Sequence, residues 1–474
     1  MREDTIASIG TAPGESGIGI IRISGEEALP ILTRIFVPVS HEIKGRVLSY
    51  GHIIDPGTGK ILDEVMAVYM KGPHTYTAED VAEIQCHGSF VSLRNILELV
   101  LRSGARLAEK GEFTKRAFLN GRLDLSQAEA VIDLIRARSE KTFDVAMSQL
   151  EGVFSAQIGQ IREDLVDVLV NLTVNIDYPD EDIEQITYDN LKKSILKIKE
   201  KIDKLLSTSD TGRIIREGLK ISIIGKPNVG KSSLMNALMG ENRAIVTDIP
   251  GTTRDTIEET LVIRDIPVVL TDTAGIRDTD DTIERIGIEK SKEAFNRSDL
   301  VIFVIDASRP LERDDMDIIR TIGDRKVIVL LNKTDKGIYI SEDDIKKDMP
   351  NACVIKTSLI NGEGTETLAD VVENLVYGGH MTRSETNIVT NARHKALLQE
   401  ASGSMTDAVS MIIDRQPLEL IEIDVNHGYE ALGEITGQTA VPDIIDRVFE
   451  RFCNGKNIYG RLRCHCRRCR ACRL

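Results

Sequence analysis

The sequence has no apolar run that approaches the roughly 18 residues a membrane span requires, so no membrane helix is expected. Met1-Arg2-Glu3-Asp4 is charged and lacks the apolar stretch of a secretory leader, which leads to the expectation of a cytoplasmic protein. Cysteine is scarce through the body of the chain: only Cys86, Cys353 and Cys453 precede a group of four in the last eleven residues. That distribution argues against a disulfide framework. Excess positive charge is also missing. With 60 Lys and Arg against 75 Asp and Glu, the net charge is −15, so RNA binding would need a local basic patch. Neither a Gly/Ser linker nor an internal repeat is visible in the first 118 residues.

What is present is enough chain for several cores. A length of 474 residues points to two to four domains, and 41% hydrophobic with 28% charged residues is a globular composition. Residues 1–118 mix signals. Ile18–Ile23, Val47–Ile53, Val65–Met70 and Val81–Gln85 read as strands, and 26–35 and 90–103 as helices. Thr11–Gly19 is a glycine-rich loop before a strand. From 119 the texture is helical. Ser126-Gln127-Ala128-Glu129 has the form of a capping box. Ile158, Ile161, Leu165, Leu169, Leu172 and Ile176 share one helical face, and Pro179 ends that pattern. Leu191, Ile195, Ile198, Ile202 and Leu205 repeat the seam. Ser207–Gly212 reads as a polar linker. Residues 216–378 alternate strand and helix at doubly wound α/β spacing, and helical texture returns from 388.

The expected fold is therefore multidomain α/β plus α. It comprises an N-terminal α/β domain (1–118), a helical domain in two parts (119–215 and 379–456) and an α/β domain (216–378) inserted between them. Residues 457–474 hold six arginines with Cys464, His465, Cys466, Cys469 and Cys472. They read as an unstructured basic extension, with a zinc knuckle as the alternative.

The inserted domain carries the clearest chemistry. Ile221–Ile224 reads as a buried strand and Ser233–Leu238 as the start of a helix. Between them stands Gly225-Lys226-Pro227-Asn228-Val229-Gly230-Lys231-Ser232, a phosphate-binding P-loop. Its glycines let successive N–H groups converge on phosphate, and the helix N-terminus adds partial positive charge. Lys231 would reach the β- and γ-phosphates and Ser232 would hold Mg²⁺, with Ser233 beside it. Thr247-Asp248-Ile249-Pro250-Gly251-Thr252-Thr253 follows, and Thr253 would complete the Mg²⁺ shell. Asp272-Thr273-Ala274-Gly275 ends a strand, where the Asp supports Mg²⁺ and the Gly N–H meets the γ-phosphate. Asn332-Lys333-Thr334-Asp335 ends another. A carboxylate there can accept from guanine N1–H and the exocyclic amine together, a donor pair adenine lacks. Four ordered motifs predict GTP as the nucleotide. Ile276 stands where many small GTPases carry a water-orienting Gln, which leaves Glu284 as the candidate for that work.

Gly111-Glu112-Phe113-Thr114-Lys115-Arg116-Ala117-Phe118-Leu119-Asn120, followed by Leu123-Asp124-Leu125-Ser126-Gln127-Ala128-Glu129-Ala130, resembles the signature of the MnmE (TrmE) tRNA modification GTPases. Pro179–Glu181, Thr247–Asp255, Ile283–Ile288 and Phe452–Lys456 are similar too, so the resemblance spans residues 4–456.

The resemblance implies an N-terminal folate-binding and dimerisation domain, a helical domain and a Ras-like G domain. It implies a homodimer whose G domains pair in a K⁺-dependent way to hydrolyse GTP. It also implies a flavoprotein partner, MnmG, and tRNA as substrate. With MnmG the family adds an aminomethyl-type group to C5 of wobble uridine from a tetrahydrofolate derivative. By position, Asn228, Thr247, Ile249 and Thr252 would hold K⁺ and Glu284 would position water. Arg22, Glu83, Arg122 and Lys456 would line the folate site, with Cys453 beside it. Ser358, in Thr357-Ser358-Leu359, falls in the guanine-binding loop, where backbone N–H groups are expected to do most of the recognition. Arg102, Arg106, Lys110, Lys115, Arg116 and Arg122 form a basic stretch with two readings: a tRNA contact or ordinary surface charge. The other functional readings are a GTP-gated RNA-binding switch, as in ribosome assembly, and a catalytically silent scaffold.

Overall fold

The structure is a computed structural model that describes residues 4–12, 14–39, 43–177, 187–242, 258–272, 295–378, 386–450 and 452. The chain divides into two compact units: 1–132 with 436–474, and 133–435.

In the first unit, alternating apolar and polar residues produce a sheet covered on one face. The strands are β1 (Ile6–Ile9), β2 (Ser16–Ser24), β3 (Phe36–Pro38), β4 (Ser49–Ile54), β5 (Ile61–Met70), β6 (Val81–Gly88) and β7 (Arg106–Leu107). Their order is β3-β4-β5-β6-β2-β1-β7, and every pairing is antiparallel except β1 with β7. β1, β3 and β7 were not anticipated; they are too short for alternation to declare itself. Helices Ala28–Ile35 and Phe90–Arg102 lay Ile31, Leu32, Ile35, Leu93, Ile96 and Val100 on the sheet. Each such burial contributes about 1.5–3 kcal/mol. Ser89 caps the second helix by accepting from Ser92 N. A smaller core joins Leu125, Ala128 and Ile132 to Val448, Phe449 and Phe452. Gly111 (φ 63°) sits against it, where a Cβ would stand 2.8 Å from Phe452.

In the second unit, helices Val153–Asp177, Tyr188–Ser207 and Ala392–Ile413 share one core. Ile158, Ile161, Leu165 and Leu172 are buried as the periodicity requires, while Leu169 and Ile176 are partly buried at the edge. The six-stranded sheet contains β8 (Leu219–Ile224), β9 (Glu258–Ile263), β10 (Ile266–Asp272), β11 (Leu300–Asp306), β12 (Val327–Asn332) and β13 (Cys353–Lys356). Its order is β13-β12-β11-β8-β10-β9, parallel throughout except β9. β11 and β12 are buried at every residue, which is why they read as continuous apolar runs.

Ser207–Gly212 is not a linker. Helix Ser209–Glu217 begins there, and the polar side chains are spent on contacts. Thr208 Oγ1 accepts from Val389 N at 3.0 Å, Thr211 Oγ1 donates to Val376 O at 3.0 Å, and Lys395 pairs with Asp210 at 2.8 Å. The outgoing and returning chains therefore pack together at this point. A Cβ on Gly212 would lie 2.2 Å from Val389 O. Gly212→Ala is expected to cost about 2 kcal/mol through this overlap and to lower the thermal midpoint by several degrees. A midpoint equal to that of the unaltered chain would show that the seam yields freely.

Candidate functional site

β8 lies between β10 and β11, at the centre of the sheet, and delivers the P-loop at its C-terminal end. Gly225 (φ 148°) approaches β11 so closely that a Cβ would stand 2.4 Å from Val304 O. Gly230 (φ 109°) would place a Cβ 2.3 Å from Asn332 Nδ2. A Cβ at Gly225 would push against backbone, and one at Gly230 would displace the Asn332 amide as well as strain a positive φ. Asn228, at the exposed crest, also has a left-handed backbone (φ 64°). Helix Lys231–Asn242 follows and is anchored by buried Leu234, Met235 and Leu238. Lys231 Nζ donates to Gly225 O at 2.7 Å and Lys226 O at 2.9 Å, which holds the ammonium against the loop. Ser232 and Ser233 are exposed in the first turn. Lys226 turns the other way, to Asp315 at 2.6 Å and Glu312 at 2.8 Å. Burial alone would lower its pKa, but those two carboxylates outweigh it and raise the value. Its charge belongs to helix Arg313–Ile322 and not to the phosphate side.

The base-reading loop is tied to this crest. Asn332 ends β12; its Nδ2 donates to Val229 O at 2.8 Å, while its Oδ1 accepts from Leu359 N at 3.2 Å and Thr357 Oγ1 at 3.4 Å. Lys333 Nζ donates to Asn228 O at 2.7 Å. Asp335 is exposed, and its Oδ1 accepts from the fully buried Ser358 hydroxyl at 2.9 Å. That anchor restrains the exposed carboxylate through Oδ1. In the Ser358 loop, Ser358 N donates to Glu363 O at 3.2 Å and Leu359 N donates to Asn332 Oδ1 at 3.2 Å.

Asp272 closes β10, where the register sets it beside Ile223 of β8. Thr247, Asp248, Ile249, Pro250, Gly251, Thr252, Thr253, Thr273, Ala274, Gly275 and Glu284 lie outside the described residues, as do Lys456, Cys453 and the cysteine-rich tail. Among the described residues there is no group of three or more His, Cys, Asp or Glu able to hold a metal, and no helix long and apolar enough to cross a membrane.

A second cluster forms in the first unit. Arg22 and Glu83 face each other across β2 and β6, joined at 2.7 Å. The Arg22 guanidinium lies over Tyr76 (5.5 Å) and Phe113 (5.8 Å), and Arg122 lies over Tyr76 (4.8 Å) while donating to Tyr76 O at 3.0 Å. Three of the four folate candidates thus meet around an aromatic that the sequence reading did not select. A ring between two distant cations has no local signal; only the folded chain reveals it.

The basic stretch beside it is largely neutralised within the protein. Arg106 binds Asp4 at 2.7 Å and Glu112 at 2.6 Å. Arg116 is buried against Asp4, Glu79 and Glu112. Lys115 meets Asp446 and Arg102 meets Asp55. Burial would raise the Glu112 pKa, but the Arg106 guanidinium foremost, with Arg116 and the Glu109 N–H, holds it below the usual carboxylate range. Four of the six basic residues are thus engaged in ion pairs within the protein.

A parallel sheet with a P-loop at its central strand, and a tethered carboxylate beyond Asn332 that matches guanine, define a P-loop GTPase. Residues 125–453 match the family description "MnmE helical domain" and residues 5–122 match "GTP-binding protein TrmE N-terminus". The tRNA modification GTPases MnmE of Alkaliphilus oremlandii and Clostridioides difficile are each 52% identical over 458 residues, covering 96% of this chain and 99% of theirs. Among solved structures, the G domain of the T. maritima FeoB iron transporter is 26% identical over 33% of this chain and 98% of its own, with a TM-score of 0.26. The chain belongs to the MnmE family of tRNA modification GTPases.

Removal of the Asp335 tether tests the base pocket. Ser358→Ala should weaken GTP binding about tenfold or more in a fluorescence titration, the cost of one hydrogen bond to a charged group. Unchanged affinity would show that Asp335 is oriented by other means.

Proposed function

We propose that this chain is a GTP-hydrolysing tRNA modification enzyme. With an MnmG-type flavoprotein it adds an aminomethyl-type, carboxymethylaminomethyl group to C5 of wobble uridine, using a 5-formyl- or 5,10-methylene-tetrahydrofolate one-carbon unit. The observation that carries the reading is the Arg22–Glu83–Arg122 cluster around Tyr76, in a chain whose other unit holds a guanine-nucleotide pocket. A GTP-gated RNA-binding switch has no use for the first of these.

In this reading the parts are the folate-binding domain (1–118), the helical domain (119–215 and 379–456) and the G domain (216–378), working as a cytoplasmic homodimer. Ser232 and Thr253 would hold Mg²⁺. The exposed Ser232 hydroxyl on the first helical turn is a hard oxygen donor of the kind that ion takes. K⁺ would be held by Asn228 with Thr247, Ile249 and Thr252. The Asn228 main-chain oxygen is committed to Lys333, so its exposed side-chain amide is the donor that remains. Bound cations there supply positive charge where negative charge develops between the β- and γ-phosphates. Lys231 steadies the same phosphates, Asp272 supports Mg²⁺, the Gly275 N–H meets the γ-phosphate, and Glu284 positions water.

In the first unit, Glu83 Oε1 is engaged by Arg22, which leaves Oε2 to accept from pterin donors. Arg22, Arg122 and Lys456 supply cations for the glutamate-tail carboxylates, and Tyr76 supplies a flat apolar face. The ion pairs that Arg106 and Arg116 make with Asp4, Glu79 and Glu112 keep the Tyr76 loop in place through Glu79 and Thr114.

GTP turnover should be several-fold faster in K⁺ than in Na⁺, and Asn228→Lys or Glu284→Ala should lower hydrolysis at least tenfold more than nucleotide binding. Equal losses of both would contradict the assigned positions. Arg22→Ala should weaken tetrahydrofolate binding about tenfold while GTP hydrolysis is unchanged. Absence of folate binding by the unaltered chain would instead favour the switch. Mass spectrometry of wobble uridines in cells lacking this chain tests the modification itself.

A further inference from the structure

Asp306 belongs to no nucleotide-binding motif of the sequence, yet it stands directly behind the lysine that touches the P-loop crest. It closes β11 with 6% of its surface exposed. A buried carboxylate is costly unless its oxygens are occupied, and here both are. Oδ2 accepts from Lys333 Nζ at 2.7 Å and Arg309 Nη2 at 3.2 Å. Oδ1 accepts from Ser308 N at 3.1 Å and Ser308 Oγ at 2.6 Å. Burial pushes the Asp306 pKa up, but Lys333 and Ser308 outweigh it and bring the value to about 2. The carboxylate is therefore charged at any working pH.

The topology puts this charge beside the base-reading loop. β11 and β12 run parallel, the register pairs Asp306 with Asn332, and Ala307 N donates to Asn332 O at 2.8 Å. Lys333 holds a left-handed backbone (φ 65°), uncommon outside glycine and requiring support from its surroundings. Its ammonium spans two oxygens, Asp306 Oδ2 and Asn228 O, each at 2.7 Å. The Lys333 side chain is 20% exposed, so solvent competes for it. Without a fixed anion behind it, the same ammonium can turn to water. The crest would then keep only the Asn332 bond to Val229 O.

We propose that Asp306 is a positioning residue for guanine-nucleotide retention: it holds the Lys333 ammonium on the Asn228 carbonyl and so fixes the P-loop crest relative to the base-reading loop. A nucleotide bridges those two segments, with phosphates on one and the base on the other. Loss of the brace lets them separate independently, and the consequence is faster release. The inference rests on the guanine-nucleotide assignment, which binding of a fluorescent GDP by the unaltered chain tests separately.

The experiment follows release of N-methylanthraniloyl-GDP from the full-length chain, chased with excess GDP in a stopped-flow instrument. Asp306→Asn preserves shape and removes the charge; it should speed release about tenfold, as should Lys333→Met. The double variant should exceed either single by no more than about twofold, because both remove one connection. Ser308→Ala, which leaves the Lys333 pair intact, should stay within about twofold of the unaltered chain. Multiplicative effects in the double variant, or an acceleration by Ser308→Ala equal to that of Asp306→Asn, would overturn the proposal in favour of general loosening at the end of β11. If Asp306→Asn fails to fold, Lys333→Met against Ser308→Ala still decides, since release from Lys333→Met at the unaltered rate refutes the brace.

Discussion

The second unit depends on how a P-loop satisfies its own outer backbone. A loop whose N–H groups converge on phosphate turns carbonyls the other way, and a buried carbonyl must find a donor. Val229 O finds Asn332 Nδ2, and Asn228 O finds Lys333 Nζ. The residues proposed to read the base are thus the ones that bond the carbonyls of the phosphate loop. This explains why Gly230 tolerates no Cβ: the amide of Asn332 occupies that space.

The first unit follows the same economy with stronger charges. Glu112 and Arg116 stand one turn apart on helix Glu112–Leu119, and with Asp4, Glu79 and Arg106 they form a nearly closed set of ion pairs. Breaking such a partly buried set on one side leaves an uncompensated charge, which is costly. Its structural effect reaches the Tyr76 loop, since Thr114 bonds the Tyr76 hydroxyl at 2.9 Å and Asn120 bonds Thr77 O at 2.7 Å. The signature stretch Gly111–Asn120 is therefore a buttress for the cluster that contains Arg22, Glu83 and Arg122, and its Phe113 ring contributes a face to it.

Much of this was legible in the sequence, for identifiable reasons. The P-loop and Asn332–Asp335 are contiguous motifs whose spacing is set by ligand dimensions, so they can be read without a fold. The seam from Ile158 to Leu205 repeats often enough for periodicity to show. Other features depend on long-range pairing and left no local mark. Asp306 ends an apolar run as many strand-end carboxylates do, and only its register with Asn332 gives it meaning. Tyr76 gains its neighbours from β2, helix Glu112–Leu119 and the turn at Arg122. Ser207–Gly212 looked like a linker because its polar residues were counted as solvated, whereas they bond backbone on the returning chain. The ion pairs of the basic stretch left no local mark either: the partners Asp4, Glu79 and Asp446 lie far away in sequence.

The central claim is that a carboxylate tethered by Ser358, beside a P-loop locked by Asn332, reads two donors of guanine. The most direct measurement is a competition titration of the full chain with GTP, inosine triphosphate and ATP against one fluorescent guanine nucleotide. Inosine keeps the ring N–H but lacks the exocyclic amine, and adenine lacks the donor pair altogether. The account requires GTP to bind about tenfold or more tightly than inosine triphosphate, and ATP to compete far more weakly than either. Equal competition by GTP and ATP would contradict it.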